Sequence, residues 1–256
     1  MKAVHEVNPA EDVLLLMLDD VHNIPFRKYL GVVGQFALTN VSKRLRAKLL
    51  PHRAIKYSQA CEMGSKDGNL WFLQWARAGV SACPWDERTC AYAAGGGHLA
   101  VLQWARASAC PWDKWTCAYA ARGGHLKILQ WLRAGVSACP WDERTCAYAA
   151  GGGHLAVLQW ARANKCPWGE WTCANAAKGG HLAVLQWARA NGCPWDEWTC
   201  AYAARGGQLE ILQWARENGC PWDRWTCAHA AKDVREDVLA LRFADGCRCQ
   251  RHKNES

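Results

Sequence analysis

The sequence has no long apolar run. Its most continuous stretch near the start, Val13 to Leu18, is short and follows Glu11 and Asp12. That excludes it as a membrane span or a secretion signal. Phosphate-binding loops are missing too, and no serine or cysteine is set beside a base in a recognisable arrangement, so nothing points to catalysis. The C-x-x-C spacing of a zinc site is absent. The cysteines of CPWDEWTC, Cys193 and Cys200, stand seven apart with no histidine pair nearby, so neither a metal nor any other cofactor is expected. Charge is not concentrated either. The net +8 is spread along the chain and gives a weak pull toward acidic partners rather than a dedicated nucleic-acid face.

What is present is repetition. HLAVLQWAR begins at His98, returns as HLKILQWLR at His125, then as HLAVLQWAR at His154 and His181, and as QLEILQWAR at Gln208. The steps are 27, 29, 27 and 27 residues, and the longer one comes from two extra residues in AGVSACPW. An insertion confined to one point marks that point as a loop. CPW starts at Cys83, Cys110, Cys139, Cys166, Cys193 and Cys220, and Thr-Cys follows each. A fixed period of this length is the mark of a solenoid, in which stacked repeats share one continuous core. Of the fifteen cysteines all but Cys249 recur in frame in a long chain, so they read as small buried thiols of a reduced, intracellular protein, in the cytoplasm or nucleus.

Each repeat should form two helices. Leu182, Val184, Leu185 and Ala188 make one apolar face of the second, which ends at Asn191-Gly192 before Pro194. Thr199 is the expected cap of the first. At about 100° per residue, Cys200, Ala203 and Ala204 point one way, and Trp198, Tyr202 and Arg205 the other. Recurrent GGGH, as at Gly95 to His98, reads as a turn. The tryptophans of the helix and CPW frames read as packing between repeats. The arginine series Arg77, Arg106, Arg133, Arg162, Arg189 and Arg216 reads as a solvated row pairing with Asp86, Asp113, Asp142, Asp196 and Asp223.

HLAVLQWARANGCPWD resembles the second helix and following turn of an ankyrin repeat, and TCAYAARGGH resembles its first helix without the usual Pro and His. The period is shorter than the ankyrin period of about 33 residues, and the gap falls after Asp196, where the β-hairpin finger would project. The resemblance implies an all-α, ankyrin-like helical-pair solenoid with shortened or missing fingers, seven repeats over 58–247 and a tail over 248–256. The CPWD wording resembles repeat families expanded in large DNA viruses of amoebae and in some protists. Residues 1–57 hold no repeat and form a small helical domain. There EDVLLLMLDD and LTNVSKRLR, either side of Pro25, resemble an F-box. That resemblance implies docking on the Skp-type adaptor of a cullin-RING ubiquitin ligase through Leu14, Leu18, Phe36, Leu38, Val41 and Leu45.

Ankyrin repeats commonly use the positions around Ala-Ala of the first helix to touch partners. Here those positions vary between near-identical repeats, whose packing demands are the same. The resemblance therefore implies a protein-binding stripe of Trp115, Tyr119, Arg122, Trp171, Asn175, Lys178, Trp198, Tyr202, Arg205, Trp225, His229 and Lys232. Aromatic and Arg side chains are also what dominates binding hot spots. Three readings stay open at this point: the substrate receptor of an SCF-type ligase, a stand-alone protein-binding scaffold, and a nucleic-acid binder. A monomer is expected in each.

Overall fold

The computed structural model describes residues 60–78, 83–134, 137–222 and 226. The F-box-like segment, the tail, and Trp225, His229 and Lys232 lie outside them. The chain divides into two compact bodies, Met1–Trp85 and Asp86–Ser256. In the first, α1 (Ala60–Lys66) and α2 (Leu70–Ala78) form one helix pair. Its buried members include Cys61, Phe72, Leu73 and Ala76.

Among the described residues, the second body holds five helix pairs. These are α3 (Glu87–Gly95) with α4 (Leu99–Ala107), α5 (Lys114–Arg122) with α6 (Leu126–Arg133), and α7 (Glu143–Gly151) with α8 (Leu155–Ala163). The last two are α9 (Glu170–Gly179) with α10 (Leu182–Ala190) and α11 (Glu197–Gly206) with α12 (Leu209–Glu217). First helices stack on one another along the array, and each second helix packs on the first helix of its own repeat. No strand occurs among the described residues, and none of their helices is long and apolar enough to cross a membrane. Where ankyrin fingers would stand, the chain runs extended through Cys-Pro-Trp-Asp from one pair to the next. The fold is the helical-pair solenoid with missing fingers that the repeat wording implies.

The core is written by residue size. Cys117, Ala120 and Ala121 of α5, and their equivalents in each first helix, are fully buried. Side chains this small let the first helices approach closely. Leu102, Leu129, Leu158, Leu185 and Leu212 are fully buried leucines of the second helices.

Helix starts differ from the sequence reading. Asp196, not Thr199, caps α11: its carboxylate accepts the Trp198 backbone N–H at 3.1 Å. Thr199 lies inside the first turn and is fully buried. Asp86, Asp113 and Asp142 do the same work for α3, α5 and α7. Gly169 occupies the equivalent place before α9 and offers no side chain. Its φ of −151° suits any residue, and a Cβ there would meet nothing within 4 Å. Gly169→Asp should therefore raise the unfolding free energy by about 0.5–1 kcal/mol, through the restored cap and a stiffer unfolded chain. Urea denaturation checks this, and an unchanged or lower midpoint would contradict the capping account.

The GGH turns are more than turns. Their second glycine takes positive φ, as at Gly124 (74°) and Gly153 (76°). The histidine that follows reaches back across the repeat boundary. His125 Nε2 lies 3.0 Å from the carbonyl of Gly95, His154 Nε2 3.0 Å from that of Arg122, and His181 Nε2 3.2 Å from that of Gly151. Each ring thus satisfies a carbonyl at the C-terminal end of the preceding first helix, which has no partner inside its helix. Gln208 turns instead to its own Gly206 carbonyl. The first glycine makes room for this joint. A Cβ on Gly123 would sit 2.5 Å from the Gly95 oxygen and 2.6 Å from the His125 ring. Gly123→Ala is expected to cost about 1–3 kcal/mol, the usual range for overpacking a tight contact. A urea midpoint equal to wild type would mean that the joint is loose.

Candidate functional site

Three ladders run along the second body, and two of them are occupied by packing. The first is made of thiols. Cys90 and Cys110, Cys117 and Cys139, Cys146 and Cys166, Cys173 and Cys193, and Cys200 and Cys220 stand as neighbours, and Cys117 donates to the Cys139 carbonyl at 3.8 Å and Cys146 to the Cys166 carbonyl at 4.0 Å. All are free and fully or almost fully buried. The CPW thiol also donates to a carbonyl one repeat back, as Cys139 does to Asp113 at 3.2 Å and Cys166 to Asp142 at 3.5 Å. The neighbouring thiol, with burial added, pushes the thiols of Cys110, Cys117, Cys146 and Cys173 up, away from the thiolate form. A thiol held in its protonated form is a poor nucleophile and a poor metal ligand, and these four serve as packing groups. No group of three or more metal-ligating side chains gathers among the described residues.

The second ladder is arginine and tryptophan. The sequence reading paired these arginines with aspartates, and the structure corrects it. Arg106 lies over the Trp112 ring at 3.8 Å, Arg133 over Trp141 at 4.2 Å, Arg162 over Trp168 at 4.1 Å and Arg189 over Trp195 at 4.1 Å. Each also donates to the carbonyl of its own CPW cysteine: Arg106 to Cys110 at 2.7 Å, Arg133 to Cys139 at 2.6 Å, Arg162 to Cys166 and Arg189 to Cys193. Asp86, Asp113, Asp142 and Asp196 are committed as helix caps, and Asp223 lies outside the described residues. The same tryptophans meet the next repeat edge-on: Trp112 with Trp131, Trp141 with Trp160, Trp168 with Trp187 and Trp195 with Trp214, at 5.8–6.0 Å. Edge-on rings and cations over ring faces are the favoured arrangements of the aromatic quadrupole. These residues therefore fasten repeat to repeat, as the sequence reading expected of the tryptophans, and the arginines form no open phosphate track.

The third ladder is the variable stripe of the first helices. Tyr92 stacks on Tyr119 at 6.0 Å, and Tyr119 on Tyr148 at 6.3 Å. Trp115 tilts against Tyr119 and Tyr148, at 6.1 and 6.2 Å. Farther along, Trp171 and Trp198 both lean on Tyr202, at 5.9 and 6.0 Å. Cations lie above: Arg144 over Trp115 at 4.7 Å, Arg122 over Tyr148 at 6.0 Å and Lys178 over Tyr202 at 5.6 Å. Arg122, Lys178 and Arg205 are exposed, while Trp115, Tyr119, Asn175, Trp198 and Tyr202 are half-buried. Trp171 is 51% exposed, and among the described residues of this body it is the only large apolar side chain so open.

The structure thus brings nine of the twelve sequence-chosen stripe residues onto one face, opposite the buried Cys-Ala-Ala face. It adds Tyr92 and Tyr148, which sequence reasoning passed over. Both hold the tyrosine place of the TCAYAA wording, so the same frame that singled out Tyr119 and Tyr202 would have found them. At the edge of the stripe, Asp86 is held below the usual carboxylate range by its hydrogen bonds with Arg88.

No family model matches the chain, and no curated protein matches it. Among solved structures it is similar to the human ASB11 ankyrin repeat domain, with 15% identity over 70% of this chain and 96% of that one, at a TM-score of 0.47.

Proposed function

We propose that this chain is a protein-binding scaffold whose target lies along the variable stripe of the first helices. The observation that carries this reading is Trp171, left 51% exposed beside Lys178 and within reach of Tyr202. An open indole that shares a half-buried tyrosine with an exposed cation is the composition from which hot spots are built. The Arg-Trp-Trp and thiol ladders are already committed to fastening repeats, so the stripe is the surface with side chains to spare. The Cys-Ala-Ala face cannot serve, because it is buried throughout.

In its finer form, the chain is the substrate receptor of an SCF-type ubiquitin ligase. Residues 1–57 hold the Skp-type adaptor through Leu14, Leu18, Phe36, Leu38, Val41 and Leu45, and the repeats hold the target. The support for this part is the wording of the sequence from Pro9 to Leu50. Affinity purification of the tagged full chain from cells, followed by mass spectrometry, tests both layers. Recovery of a Skp-type adaptor together with a target is the expected result. A target without an adaptor leaves the stand-alone scaffold. Release of all bound material by nuclease and salt would put a nucleic-acid binder in its place.

A further inference from the structure

The tyrosine ladder lacks one rung. Tyr92, Tyr119, Tyr148 and Tyr202 hold the same place in successive first helices, and α9 carries Asn175 there. Three differences coincide at this point. First, Asn175 brings no ring, so Trp171 has no aromatic one helical turn on, whereas Trp115 has Tyr119 and Trp198 has Tyr202. That is why Trp171 alone of the three stays 51% exposed. Second, the residue that would cover position 175 from the preceding helix is Gly151, where Arg122 covers Tyr148 and Lys178 covers Tyr202. Third, Trp115 and Trp171 each lean onto the tyrosine of the next repeat, but Arg144, which holds their place before Asn175, turns back to Trp115 and Asp142.

The ladder therefore has a ringless place, a gap in its series of rings between Tyr148 and Tyr202, held by Asn175, with Trp171 one helical turn before it and leaning on Tyr202. Neighbouring rungs stand 6.0 and 6.3 Å apart. A single ring entering the gap would therefore lie at ladder spacing from both tyrosines, inside the 4.5–7 Å range of favourable ring pairs. The edge toward the helix C-termini is basic, with Arg122, Lys178 and Arg205 exposed. The opposite edge carries Glu143, Glu170 and Glu197, which disfavour a run of phosphates.

We propose that the gap at Asn175 is a specificity pocket for one aromatic side chain of a partner's linear segment, with Asp or Glu close by in that segment meeting Arg122, Lys178 or Arg205. This rests on the reading of the stripe as the partner surface and names the chemistry it selects. The aromatic supplies the missing rung, the Asn175 amide offers a donor and an acceptor to the segment's backbone or phenol, and the carboxylates meet the basic edge.

The test is selection of random 12-residue peptides displayed on phage against the purified full chain. Asn175→Tyr, Trp198→Ala with Arg205→Ala, and wild type then serve as binding targets for the enriched peptides. Asn175→Tyr fills the gap with the residue that the other rungs carry, so its urea midpoint should equal or exceed that of wild type. Enriched peptides sharing one aromatic with Asp or Glu within four positions, and binding Asn175→Tyr at least tenfold more weakly, are the expected result. Peptides weakened by the Trp198 and Arg205 changes but indifferent to Asn175→Tyr would leave the stripe as the surface and overturn the pocket. Peptides indifferent to all these changes, or no enrichment, would overturn both. Binding of oligo-dT that Asn175→Tyr abolishes would assign the gap to a nucleobase and overturn the proposal as well.

Discussion

Replacing Leu158 by Ala is expected to lower the unfolding free energy by about 2–5 kcal/mol, the range for truncating a buried leucine. Leu158 is fully buried in α8, in the middle pair of the five described in the second body. The lost methyl groups leave a cavity between helices that small residues already hold close, so collapse around it is limited. The effect should reach beyond one repeat. In a stack where each repeat touches only its neighbours, cooperativity depends on every interface being stronger than the intrinsic instability of a repeat. Weakening the middle repeat should therefore broaden the urea transition or split it, as the two sides of the stack come apart at different denaturant concentrations. Tryptophan fluorescence reports both sides, since the Trp168–Trp187 and Trp112–Trp131 contacts lie on either side of α8. A sharp transition at the wild-type midpoint would contradict the shared core.

Much of this architecture was legible in the residues. The helix pairs, the boundary at Asn191-Gly192, the buried thiols and the trimmed fingers all follow from wording that repeats. Near-identical repeats need the same packing, so the frame of each residue declares its role. What stayed hidden was the choice among partners at short range. Thr199 and Asp196 both carry capping oxygens, and only the backbone path shows that the aspartate stands before the first turn while the threonine is inside it. The arginine ladder stands near aspartates in sequence, yet a guanidinium also lies well on an indole face, and the CPW tryptophans are held where that contact wins. The histidines looked like turn residues because their acceptors lie about a repeat earlier in the chain, at Gly95, Arg122 and Gly151. The stripe itself was legible as a face. Its uneven filling at Asn175 was not, because the gap is made jointly by Asn175, Gly151 and Arg144 on two different helices.

Whether the stripe around Trp171 binds a partner without holding the repeats together is tested most directly by Trp171→Ala combined with Lys178→Ala. Among the described residues Trp171 makes its ring contact with Tyr202, and Lys178 is an exposed cation over the same ring, so neither is part of the buried core. With the partner recovered by affinity purification, titration calorimetry of wild type and double variant should give an affinity loss of at least about thirtyfold, or about 2 kcal/mol, as removal of a hot spot does. The urea midpoint of the same preparations should stay close to wild type. Unchanged affinity would place the partner on another face, and a large fall in the midpoint would make the stripe a packing surface; either result would contradict the account.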